Sequence, residues 1–215
     1  MVRRTKAENL SNTKLVRDAD ATQAVILAAA EQEFAQHGLT AARTEAIAAK
    51  TGVAKSMIYY YFKDKENLYQ VVLERSHREL LETSQKLDLD RLSPEAALEK
   101  FLIALLGCVS RNPRLPTIMF HEAVQNQGKY YKRSSSVSID TILIEILERG
   151  VVAGAFRQLD PFQSAINIMG TCLFYFIGIG NIQHYSQGKR LLSKAMLEQH
   201  SQEAIALILA GVRKA

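Results

Sequence analysis

The 215-residue chain is predicted to be all-α, a small N-terminal helical unit followed by a larger helical one, with about nine helices in all. Three observations predict this. Four prolines occur in the whole sequence, and its long Ala-, Leu- and Ile-rich segments favour helix over strand. Apolar residues recur at helical spacing. Glycines and polar runs fall between the periodic segments, where helices must stop. A chain of this length can bury a sizeable core.

Residues 1–20 are polar, mixed in charge and without period, so a disordered arm is expected. Arg3, Arg4 and Lys6 within it could touch a phosphate backbone. From Ala21 the stripe Val25, Ile26, Ala29, Ala30 and Phe34 predicts a first helix that Gly38 ends. A short second helix is expected over Thr44–Thr51, with Ile47 and Ala48 inward. Gly52 suits a left-handed turn, with Val53 as a buried anchor. A third helix covers Lys55–Phe62. Asp64 can cap a fourth, which carries Leu68, Val71 and Val72 toward a core. Short helices with a Gly-centred turn between the second and third form the helix-turn-helix pattern, which places an N-terminal unit at 21–81.

The boundary falls within the long fourth helix or the polar "KLDLDRLS" after it, leaving residues 82–215 as the second unit. Ser93-Pro94-Glu95 is a strong helix start: a capping hydroxyl, a proline in the first turn and an acid at the positive end. Further helices are expected over Pro116–Gln125, Tyr130–Arg149, Pro161–His184 and Lys194–Val212. Gly128, "GVVAGAF" and "SQGK" separate them.

Charge and composition bound the partners. Net charge is +5, with a sequence pI of about 9.2, which permits nucleic acid without requiring it. Cys108 and Cys172 sit in apolar segments, as buried reduced thiols do, so a cytoplasmic setting is expected. Two cysteines without clustered histidines make no zinc site. The charged N-terminus has no apolar core of a secretory signal, and Ile168–Ile182 falls short of the roughly 20 residues a membrane span needs. No cofactor is expected.

The third helix, "KSMIYYYF", holds the most informative residues. With Ile58 at zero and about 100° per residue, Phe62 falls near 40°, on the same inner face. Tyr59 and Tyr61 flank that face at about 100° and 300°. Tyr60 and Ser56 lie opposite the core, and Met57 borders them. Lys55 opens the helix, and Lys63 and Lys65 follow it. Hydroxyls, phenols and ammonium groups reach phosphates and base edges, and an α-helix fits the major groove. The alternative is an aromatic helix packed on all sides, its lysines merely solvated.

"TEAIAAKTGVAKSMIYYYFKDKENLYQVVL" resembles the DNA-binding domain of TetR-type transcriptional regulators. The matching positions are Ile47-Ala48, Gly52-Val53, Tyr59, Tyr61-Phe62, Lys65-Glu66 and Leu68, and "AVILAAAEQEFAQHGL" is similar to the family's first helix. The resemblance covers roughly Ala21–Leu81. It implies that Lys55–Phe62 is the recognition helix, with Lys55, Ser56, Met57, Tyr59, Tyr60 and Tyr61 at DNA. Lys65 matches a phosphate-contacting lysine, and Arg43, Thr44 and Glu45 start the support helix. Two departures stand out. Ala54 replaces the usual capping Ser or Thr, at a cost of roughly 1 kcal/mol. Ala42 replaces a frequent threonine, whose contact Arg43 could supply.

The resemblance further implies a ligand-released repressor, a homodimer on a palindromic double-stranded operator, and a small-molecule effector whose identity the sequence does not give. "RNPRLPTIMFHEAVQNQGKY" and "ILERGVVAGAFRQLDP" are similar to a subset that includes pyrimidine-responsive regulators, which does not itself imply a pyrimidine ligand. His121, Glu122, Gln125, Asn167, Thr171, Cys172 and Tyr175 are polar residues among apolar neighbours, hence candidate ligand contacts. A hydrogen-bonded core role is the alternative for each. The last two long helices suit a four-helix dimer seam. His121-Glu122 lacks the second histidine of HExxH, and no coherent set of nucleophile, base and metal ligands supports an enzyme. The modest charge and defined helix-turn-helix argue against a non-specific coat protein.

Overall fold

Nothing before Gly38 interrupts the first helix. In the computed structural model, which describes residues 6–131 and 139–214, helix α1 runs Lys6–Ala41 with a kink at Gly38 (φ 66°), a backbone conformation glycine adopts without strain. No Gly or Pro precedes Gly38, so helix replaces the disordered arm expected over most of residues 1–20. Residues 1–5, with Arg3 and Arg4, lie outside the described residues.

Helices α2 (Thr44–Thr51) and α3 (Lys55–Phe62) have the bounds expected from sequence, joined at Gly52 in the left-handed conformation (φ 70°). Helix α4 (Lys65–Lys86) starts on Asp64, whose carboxylate accepts the Asn67 amide at 2.7 Å. The chain divides into two compact units between Val72 and Leu73, within α4. Ile26, Phe34, Ile47, Ile58, Phe62 and Leu68 build the core of the first. Tyr69 is fully buried there, edge-on to Phe34 at 4.9 Å, whereas Val71, expected inside, is half-buried. Val25 is also exposed: it lies one residue, about 100°, off the buried stripe through Ile26.

In the second unit a 3₁₀ turn at Leu89–Arg91 precedes α5 (Pro94–Arg111). Ser93 caps α5, its hydroxyl accepting the Ala96 amide. Helix α5 is the most deeply buried, through Leu98, Phe101, Leu102 and Leu105. It packs against α7 (Ile139–Val152) and α10 (Lys194–Val212), while α8 (Pro161–Ile177) packs against α7, α10 and α6 (Leu115–Asn126). Arg149 on α7 donates to the Leu89 and Asp90 carbonyls, fastening the 3₁₀ turn to the bundle.

Two expected helices differ. Of the one expected over Tyr130–Arg149, Tyr130 and Tyr131 lie outside α7, which covers Ile139–Val152, and residues 132–138 lie outside the described residues. The one expected over Pro161–His184 ends at Ile177, and a four-residue α9 (Ile179–Ile182) follows. The break is at Gly178, where low helix propensity meets a second glycine and Asn181. Among the described residues there is no strand beyond an isolated bridge between Phe156 and Arg213, and no helix is long and apolar enough to cross a membrane.

Candidate nucleic-acid interface and core cavity

Helix α3 is held from one side only. Ile58 and Phe62 are 1% and 3% exposed, while Tyr60 is 76% exposed, with Lys55, Ser56, Met57 and Tyr59 also on the open surface. Tyr61 is half-buried, its ring edge-on to both Tyr60 and Phe62. Ala54 offers no side-chain cap, so the first amides of α3 lack that acceptor. At the other end Lys63 (φ 63°) forms a tight γ-turn, closed by the Asp64 amide on the Phe62 carbonyl at 2.7 Å. The turn stops the helix immediately after its buried phenylalanine.

The support helix contributes differently from expectation. Arg43 and Glu45 are exposed, but Thr44 is buried, its hydroxyl 3.2 Å from the Tyr59 hydroxyl. Thr44 therefore fixes the Tyr59 phenol from behind rather than offering its own hydroxyl to a partner. Lys65 is half-buried, and its ammonium donates to the Thr40 and Ala42 carbonyls at 3.1 and 3.0 Å. It tethers the end of α1, where a cation also suits the helix dipole.

Lys55 and Glu45 form an ion pair between α2 and α3, with the Lys55 ammonium 5.6 Å from the Tyr59 ring centre. Hydrogen bonding to Lys55 lowers the Glu45 pKa, and hydrogen bonding to Glu45 raises that of Lys55. Both ends are exposed, so the pair governs charge presentation more than stability. Glu45→Gln should leave the fold intact and free the ammonium for phosphate. The expected result is tighter binding to non-specific duplex, with about one more ion released in a salt titration followed by fluorescence anisotropy. An unchanged salt slope would show that the pair with Glu45 does not hold Lys55 back from the backbone.

Glu33 is a determinant that sequence reading misses. It is buried on α1, and its carboxylate accepts the Arg43 amide at 3.1 Å, pinning the residue that precedes α2 back onto α1. The signal was present: Glu33 lies on the stripe through Ile26, Ala29, Ala30 and Phe34, where an acid must have a buried partner.

The second unit encloses a cavity of about 620 Å³. Leu105, Cys108 and Val109 of α5, Met119 of α6, and Met169 and Leu173 of α8 give it apolar walls. Of the ligand residues expected from sequence, Glu122 alone lines it. Glu122 is buried and accepts from the amides of Tyr130 (2.7 Å) and Tyr131 (3.4 Å) and from the Asn126 side chain (2.7 Å). The remaining candidates lie elsewhere. His121 and Gln125 bond each other one turn apart at 3.1 Å. Asn167 is exposed, and the Thr171 hydroxyl donates back to its carbonyl. Polarity amid apolar sequence marked these residues, but their helix faces turn away from the cavity.

Cys172 and Tyr175 belong to a separate cluster. Burial pushes the Cys172 thiol up to about 12, so it stays protonated. The Tyr175 hydroxyl donates to the Leu191 carbonyl at 2.7 Å, and its ring stacks on His200 at 4.3 Å. Burial lowers the His200 pKa, opposed by its bond to the Cys172 carbonyl. The unfolded chain then takes up this proton more readily than the folded one. Stability from neutral His200 is fully present above the unfolded value of about 6.5 and is lost as pH falls through the lower folded value. Urea unfolding at pH 7.5 and 5.5 should show a smaller acid loss for His200→Gln than for the native chain. Equal losses would remove His200 from the account.

Two family models match the chain: "Bacterial regulatory proteins, tetR family" over residues 26–72, and "Tetracyclin repressor-like, C-terminal domain" over residues 94–208. The HTH-type transcriptional repressor NicS of Pseudomonas putida is 32% identical over 165 residues, 74% of this chain and 77% of its own. The HTH-type transcriptional repressor SCO4008 of Streptomyces coelicolor is 35% identical over 154 residues, 67% and 74% of the two chains. Among solved structures, the ketosteroid transcriptional regulator KstR2 of Mycobacterium tuberculosis shares the fold, with a TM-score of 0.71 at 19% identity over 90% of this chain and 95% of its own.

Proposed function

Because the chain belongs to the TetR family of bacterial regulatory proteins, and is a DNA-binding transcriptional regulator rather than an enzyme, we propose that it is a cytoplasmic repressor. It binds a palindromic operator as a homodimer and leaves it when a small molecule fills the cavity. The observation that carries the DNA half is α3, which needs only Ile58 and Phe62 for packing and turns Ser56 and Tyr60 outward. Arg43, Lys55, Met57 and Tyr59 extend that surface, with Tyr61 and Glu45 at its margins. Thr44 and Lys65 hold it in place. Two such helices, related by a two-fold axis, meet half-sites about 34–36 Å apart, or a variant of that spacing.

Support for the dimer comes from α8 and α10. Phe162, Ile166 and Phe174 lie at helical spacing along α8 and are exposed in the single chain, as is Leu207 on α10. Apolar rows of this kind bury themselves against a second copy. Phe174→Arg should yield a folded monomer in sedimentation velocity that binds operator weakly. A variant that remains dimeric would place the seam elsewhere.

Support for the effector comes from the apolar cavity, whose volume suits a small molecule. A ligand releases DNA only to the extent that it binds the non-operator state more tightly than the operator-bound one. Operator affinity measured with and without bound ligand tests this directly. Equal affinity with the cavity filled would rule out release.

A further inference from the structure

We infer that the cavity selects an apolar molecule that carries a hydrogen-bond donor and no negative charge, and that it rejects anions of the same shape. The inference rests on the reading of the cavity as the effector site, and it names the class of effector. The polar side chains of the wall are Glu122, Gln127, Tyr131 and Asp140, and Tyr131 joins the two carboxylates. The Tyr131 hydroxyl donates to Asp140 at 2.8 Å, while the amide of the same residue donates to Glu122. Both carboxylates line the cavity, and among the described residues no lysine, arginine or histidine does so.

Spare acceptor capacity is what this wall offers. Tyr131 has committed its proton to Asp140, and burial, then the Asp140 charge, holds the phenol neutral. Asp140 lies in the first turn of α7, where it accepts the Tyr131 hydroxyl bond. A neutral or cationic donor entering the cavity meets lone pairs. An anion meets two carboxylates against apolar walls, where their repulsion is screened less than in bulk water. The apolar side chains of α5, α6 and α8 supply affinity without regard to charge, so the repulsion falls to Glu122 and Asp140.

A matched pair of fluorescent probes tests this on the purified protein. N-phenyl-1-naphthylamine and 1-anilinonaphthalene-8-sulfonate share one apolar body and one N–H donor and differ by the sulfonate. The neutral probe should bind about tenfold more tightly or better at pH 7. Asp140→Asn should narrow that ratio by relaxing the rejection of the sulfonate. Met119→Trp, which fills the cavity, should abolish binding of the neutral probe, with folding checked by circular dichroism. Equal or tighter binding of the sulfonate to the native protein overturns the inference, as does neutral-probe binding that Met119→Trp leaves untouched. Operator titration in saturating neutral probe separates the two readings. Undiminished operator affinity would contradict ligand release yet leave the charge selectivity standing, whereas a preference for the sulfonate would do the reverse.

Discussion

Phe62→Ala should destabilise the N-terminal unit by about 3–5 kcal/mol, while Tyr60→Ala should change stability by no more than about 0.5 kcal/mol. The two residues are neighbours but one in sequence and similar in size, yet their surroundings differ entirely. Phe62 is sealed among the side chains that close the core of the first unit, with Ile58 one turn before it. Removing its ring loses that burial and leaves a void among the core side chains. Tyr60 loses only an edge contact with Tyr61 at 5.3 Å. Its operator affinity, in contrast, should fall about tenfold or more, the scale of a lost base or phosphate contact. Urea unfolding and operator anisotropy on the same two variants provide the check. A large stability loss from Tyr60→Ala with intact operator binding would invert the assignment of the helix faces.

Phe156→Ala should cost a similar amount, about 3–5 kcal/mol, in the second unit. Gly150→Ala should cost about 3 kcal/mol. Phe156 is 1% exposed and lies against the last turn of α7, where a Cβ on Gly150 would sit 1.9 Å from its Cδ2. The ring cannot retreat easily. Its backbone amide donates to the Gly150 carbonyl at 3.0 Å, and the neighbouring Arg157 amide donates to the Val212 carbonyl at 2.9 Å. The segment after α7 is thus pinned at both its ends. Because the nearest atoms to the added Cβ all belong to Phe156, the double variant should be more stable than the sum of the singles predicts. Strict additivity in urea unfolding would mean that Gly150 is needed for a reason other than this ring.

Both predictions concern residues whose types were visible in sequence, but only one role was legible there. Helical projection separates Phe62 from Tyr60 because α3 is regular and its inner face holds only two residues. The same local logic gives the Asp64 and Ser93 caps and the limits of α2 and α3. The "GVVAGAF" stretch reads only as a connector, since the approach of Phe156 to Gly150 depends on a turn that no periodicity encodes. The partners of Glu33 and of Lys55 were hidden for a related reason: each bond joins residues ten apart, across the break between consecutive helices. The candidate ligand residues fared worst. Polarity among apolar neighbours identifies a side chain that needs a partner, but a helix backbone carbonyl or a stacked ring serves as well as a ligand. Thr171 and Tyr175 found such partners, and Glu122 found three while still reaching the cavity.

The central claim is that the outer face of α3, built around Tyr60, reads a two-fold symmetric DNA sequence. Selection of bound duplexes from a random-sequence library by the purified protein is the decisive measurement. A palindrome with half-sites about one helical turn apart should be enriched, bound about 10³-fold or more tightly than unselected duplex. Tyr60→Ala should lose that enrichment while remaining folded. Failure of the native protein to enrich any sequence, with equal affinity for every duplex at a fixed salt concentration, would contradict it.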